Sequence, residues 1–61
     1  MAQITSKELS SLSDLMSAEQ LLVVKYQTYA SESQDPVLKT KYERMAAQHQ
    51  QHFDMLYTNL K

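Results

Sequence analysis

Ser-Glu-Ser-Gln-Asp-Pro, residues 31–36, is the stretch that decides the fold of this chain. Asp35-Pro36 is a helix-start pair. The aspartate accepts from free amides of a first turn, and proline at the first helical position needs no donor. Pro36 also disfavours helical geometry at Asp35, so a helix arriving from upstream must stop short of it. The chain of 61 residues has no glycine and only this one proline. That speaks against hairpin turns and phosphate-cradling loops, and for long helices with a single break.

Upstream of the break, residues 1–4 read as a lead-in and Thr5-Ser6-Lys7-Glu8 as a capping box. Ile4 and Leu9 sit where a hydrophobic staple would. Leu9, Leu12, Met16, Glu19, Val23, Tyr26, Ala30 and Ser33 then recur at alternating steps of three and four, one face of a helix over about residues 6–33. Leu15, Leu22 and Tyr29 add a further column at seven-residue intervals, so the stripe is wider than a two-stranded seam. Residues 21–24 are apolar nearly all round, which predicts contact on more than one side. Ser13 and Ser17 weaken the middle of this helix and favour a bend there.

Downstream of a loop at about residues 33–35, a second helix is expected over about residues 36–59. Its inward positions are Leu38, Tyr42, Met45, His49, His52 and Leu56, with Phe53 and Leu60 one column over. Each helix would be roughly 38 Å long at 1.5 Å per residue. A connection this short makes the two antiparallel neighbours. The predicted fold is therefore all-α, a single antiparallel helical hairpin. One hairpin has one internal interface, yet both stripes are wide enough for two. The expected core and interface residues are Leu12, Leu15, Met16, Leu22, Val23, Tyr26, Tyr42, Met45, Phe53 and Leu56. The surplus predicts a homodimer closing into a four-helix bundle, or pairing with a different helical hairpin.

Composition narrows the functional classes. Six basic and seven acidic residues are spread along the chain, for a formal net charge of −1. With no basic block, nucleic-acid binding lacks its electrostatic footprint. The longest apolar run, residues 21–24, falls far short of the roughly 20 residues that span a bilayer. The N-terminal residues hold no apolar signal core, so synthesis in the cytoplasm is expected. There is no cysteine, which excludes disulfides and thiolate metal sites. Domains near this size bury only about 60% of their unfolded surface and often rely on a staple, a metal or a partner.

The chemistry-bearing residues sit inside the stripes. The chain's two histidines, His49 and His52, lie about 60° apart on a helix. In the hairpin, Glu19 falls level with position 50, between them, and Tyr26 falls beside Tyr42. A carboxylate buried alone is costly. Beside imidazoles it accepts a hydrogen bond, pairs with an imidazolium, or shares a metal. The plainer reading is a hydrogen-bonded polar layer that fixes the register of the bundle. The sharper one is a divalent metal held by Glu19, His49 and His52, and a third is pH-dependent association. No Ser/His/Asp arrangement is credible with both histidines on one helix, so no catalytic residue is assigned and no cofactor is required beyond such a metal. Tyr26, Tyr29 and Tyr42 read as packing aromatics.

A family resemblance joins these features. Glu19-Gln-Leu-Leu-Val-Val-Lys-Tyr26 followed by Tyr29-Ala30 resembles the first helix of ferritin-like proteins, where an inward Glu precedes an inward Tyr by two turns. His49-Gln-Gln-His52-Phe-Asp-Met-Leu resembles their second helix, where Glu-x-x-His is followed by an apolar turn. More closely, SKELS, EQLLVVKYQTYA, QDP and HQQHFDMLYTNL resemble the coat F spore-coat proteins of endospore-forming bacteria, over about residues 6–60. The resemblance implies a ferritin-like helical fold and a non-enzymatic, structural role in or near the spore coat, with other coat proteins as partners. Glu19 and His52 match the di-metal pattern, whereas His49 stands where that pattern has its Glu. A symmetric dimer would thus offer two Glu and four His, a set suited to zinc, copper or nickel rather than to carboxylate-bridged di-iron chemistry. The expected function is a self-associating assembly module. The alternatives are a small metal-binding four-helix protein and an adaptor that completes a bundle with another protein.

Overall fold

Side-chain caps set both helix starts. In the computed structural model, which describes residues 4–60, the Thr5 hydroxyl accepts from the Glu8 amide at 3.1 Å. The Glu8 carboxylate in turn accepts from the Thr5 amide at 3.2 Å. This capping box opens α1, Ser6–Glu32. The Asp35 carboxylate accepts from the amides of Val37 at 2.9 Å and Leu38 at 3.4 Å. With Pro36 at the first helical position it opens α2, Pro36–Thr58. Between the helices Ser33 turns extended at φ −78° and ψ 130°, its amide donating to the Ala30 carbonyl. Its hydroxyl donates to the Asp35 carbonyl at 3.2 Å. A three-residue link thus needs no left-handed residue, which a chain without glycine would supply only at a cost. Most of the lead-in expected over residues 1–4 lies outside the described residues.

The result is the all-α helical hairpin expected from the sequence, with no strand among the described residues. Its Cα trace measures 47 × 17 × 10 Å, one layer of two helices. Little is sealed from water. Leu12, Val23 and Ala30 of α1 and Ala46 of α2 are the buried hydrophobic side chains among the described residues. Two of those four are alanines, whose small side chains leave room for the facing helix. Around them, half-buried, lie Met16, Glu19, Leu22 and Tyr26 from α1, Ser33 of the link, and Tyr42, His49, Phe53 and Leu56 from α2.

The orientation of α2 differs from the expected one. Its innermost column is Tyr42, Ala46, His49, Phe53 and Leu56, so Met45 and His52 stand on the flank and are exposed. The cause is the small Ala46, which nests opposite α1 where the larger Met45 cannot. Leu15, expected among the core and interface residues, is also on the flank and 55% exposed. Leu9, Leu38 and Leu60 are exposed as well. In the run 21–24 only Val23 is buried, and Leu21 faces away from α2 at 71% exposure.

The two broad sides of the hairpin are chemically unlike. On one side the flank of α1 carries Leu15, Leu22 and Tyr29, and that of α2 carries Leu38, Met45 and His52, both at seven-residue intervals. A groove there is bordered by Leu15, Glu19, His52, Met55 and Leu56. On the other side Ser13, Ser17, Gln20, Gln27, Glu43 and Gln50 share the groove walls with Leu9, Met16, Val23, Ala47, Phe53 and Leu60. Leu15, Tyr29, Leu38, Met45 and Met55 form one group of exposed large apolar side chains on the first side, while Leu9 and Leu60 border a groove on the other.

Two outcomes are expected from the caps. Asp35→Ala should cost about 1 kcal/mol, lowering the melting temperature by roughly 4–8 °C, while Asp35→Asn should stay close to the parent in the same circular-dichroism melt. The Thr5 hydroxyl and then the Thr5 amide hold the Glu8 carboxyl below the usual range. A depressed carboxyl stabilises the fold above its unfolded value, and that gain is lost as pH falls through the folded value. Acidification should therefore destabilise the parent more than Glu8→Gln, read as the difference between their melts at neutral and acidic pH.

Candidate functional site

Glu19 is the middle residue of α1, with His49 and His52 opposite it on α2. Helix α1 delivers Glu19 to the seam because it follows Leu12 and Met16 by the three-and-four spacing that buries this face. On α2, His49 belongs to the inner column and His52 to the flank beside it. The short link fixes the register that brings the three together.

Glu19 uses both carboxylate oxygens. Oε1 lies 2.6 Å from His49 Nδ1, and Oε2 lies 3.5 Å from His52 Nδ1. The Glu19 and His49 side chains are 20% and 22% exposed, and that of His52 is 53% exposed. An ionised carboxylate only accepts, so with Glu19 ionised the short contact takes the tautomer of His49 that has its proton on Nδ1. The two imidazoles meet edge to face, with centroids 5.5 Å apart and planes at 86°.

Aromatic rings hold the short pair in place. Tyr26 stacks on His49 at 5.7 Å with planes 4° apart, and on Tyr42 at 6.2 Å with planes 24° apart. Tyr29 meets Tyr26 edge-on and lies 5.4 Å from Tyr42. Lys25 Nζ sits 5.8 Å from the centre of the Tyr29 ring. The imidazole of His49 is thus clamped between a phenol and a carboxylate, which fixes its orientation.

The donor set can be tested against a metal ion. One ligand atom each from Glu19, His49 and His52 lies within 4.8 Å of the others. Tetrahedral ligands about zinc stand roughly 3.4 Å apart, given bonds near 2.1 Å. The 3.5 Å from Glu19 Oε2 to His52 Nδ1 is of this size, the short contact being made by the other oxygen, Oε1. The 2.6 Å contact is a hydrogen bond, and it would open by under 1 Å as an ion took the place of its proton. Two imidazoles and one carboxylate suit zinc and its neighbours better than magnesium or calcium.

All three residues expected at the site from sequence meet here, with His52 further into solvent than expected. Sequence reasoning passed over Met55, Thr58 and Asn59, which border the same groove. The signal was present for Met55 alone, one turn beyond His52 on the flank.

Tyr26 is the residue whose loss should be felt most. Tyr26→Leu should cost about 1–2 kcal/mol in urea denaturation through lost ring stacking, while Tyr26→Phe should stay within about 0.5 kcal/mol.

No family model, no curated protein and no solved structure matches this chain; its fold and site rest on its own residues.

Proposed function

We propose that the chain is a non-enzymatic assembly module that pairs with a second copy through its apolar side, giving a four-helix bundle of ferritin-like form. One observation carries the reading. Large apolar side chains outnumber what the hairpin seals away, and those on the Leu15, Leu22, Tyr29 and Leu38, Met45 columns lie together on one side. Contiguous exposed apolar surface of this kind marks an interaction site. A symmetric pair would place the two columns of one hairpin against the same two columns of its copy. The coat F resemblance supplies the setting: a structural component made in the cytoplasm and built into a spore coat, in contact with other coat proteins.

A second reading is favoured by the Glu19, His49 and His52 geometry, a small metal-binding helical protein. The two readings share the same face and are compatible.

Sedimentation of the untagged chain tests the first reading. A dimer is expected at micromolar concentrations. Leu15→Gln with Leu38→Glu should weaken it at least about tenfold, an effect of about 1.4 kcal/mol. Leu21→Gln with Val24→Gln, at positions 71% and 55% exposed and off that face, should leave it intact. A well-folded monomer throughout would sink the reading. A partly unfolded monomer would instead point to an adaptor awaiting a different helical partner.

A further inference from the structure

We propose that a divalent ion of the zinc class binds at Glu19, His49 and His52 and draws its remaining coordination from a second copy of the chain. Metal and pairing then strengthen each other. The inference rests on the pairing proposed above and deepens it.

The count of donors comes first. The cluster has three members among the described residues, and closed zinc sites take four ligands. A single hairpin leaves one position to be filled from outside.

The location of the cluster comes second. Glu19 and His52 border the groove that Leu15, Met55 and Leu56 also line. The His52 ring, 53% exposed, stands on the α2 flank where a facing molecule would meet it. A plainly apolar partner would bury Glu19 against hydrocarbon, which is costly. A second copy instead presents imidazoles to that carboxylate, so the face complements itself.

Symmetry is the third point. Glu19 is the midpoint of Ser6–Glu32. A two-fold axis that stacks two such faces lies in the seam, along the helices or across them. With full overlap, either axis sets the middle of one face against the middle of the other. A cluster at one end would meet its copy only for the axis along the helices. The central cluster meets its copy in both arrangements.

On binding, the ion takes the place of the proton between Glu19 and His49, and the ring stays neutral by carrying its one proton on Nε2. A proton goes to solvent only where the pair starts as imidazolium and carboxylate. Any ion that prefers the dimer raises dimer stability by mass action.

The test uses untagged full chain stripped with a chelator, then sedimented with and without one equivalent of zinc chloride. Zinc should tighten the dimer at least about tenfold, equivalent to about 1.4 kcal/mol. In His52→Ala and Glu19→Gln the ratio of dimer constants with and without zinc should fall to about one, whatever their zinc-free values. The Leu15→Gln/Leu38→Glu variant keeps all three donors but lacks pairing, so it should hold zinc at least about tenfold more weakly than the parent. Zinc binding of equal strength in that variant overturns the proposal, as does a dimer constant unmoved by zinc. If the zinc-free dimer persists in those cases, the assembly reading survives alone. A monomer with and without zinc overturns both.

Discussion

Two helices joined at a corner share one seam, and one seam covers only a narrow stripe of each. Everything else about this molecule follows from that limit. The stripe along α1 spans Leu12, Val23 and Ala30, with Met16, Glu19 and Tyr26 at its edges, and α2 can cover only its centre. The burial of Leu12 and Val23 is worth about 1.5–3 kcal/mol each. Against that stands the backbone entropy lost in ordering fifty helical residues. Hydrogen bonding and partial burial offset most of this. Even so, a hairpin with four buried hydrophobic side chains has little surplus, and the uncovered columns on its apolar side are the natural place to find more.

The seam also carries its one inward carboxylate at mid-height. Taking an ion from water is expensive, and replacing such a pair by apolar side chains often stabilises a protein. At roughly one-fifth exposure Glu19 and His49 are partly screened by solvent, so their contact is a modest contributor to stability. It contributes more to specificity. Sliding α2 by one turn would separate Glu19 from His49 and unstack Tyr26 from both His49 and Tyr42. The polar pair and the rings therefore select a single register from several that hydrophobic contact alone would tolerate.

This also explains what was legible in the sequence. The break at Asp35-Pro36, the capping box at Thr5 and the period of α1 rest on local chemistry, which residue types carry directly. The meeting of Glu19 with His49 was legible because a three-residue link leaves little freedom in register. The rotation of α2 was not. Ala46 is a weak hydrophobic signal and Met45 a strong one, so a reading by apolarity turns the helix toward Met45. Packing turns it toward Ala46, because closeness of approach outweighs the size of the side chain buried. His52 moves to the flank as a consequence. Met55 and Asn59 escaped notice because a groove wall is defined by shape, which spacing alone does not encode.

The chemical difference between the two sides bears on what kind of assembly such a chain can make. A hairpin apolar on both sides would stack without end, each copy offering a fresh face to the next. Here the back mixes Ser13, Ser17, Gln20, Gln27 and Gln50 with Leu9, Met16, Val23, Phe53 and Leu60, and its polar side chains favour water over a dry contact. In the proposed pair, contact through the side that carries Leu15, Leu38 and Met45 would be isologous and would close on itself. Polar groups at the centre of that side sharpen this further, since a stack displaced by a turn would set Glu19 against leucine. In the proposed pair, any growth into a larger coat would then have to use the hairpin's ends or edges, where Leu21, Val37 and Tyr57 are exposed, and the four-helix unit would be its brick.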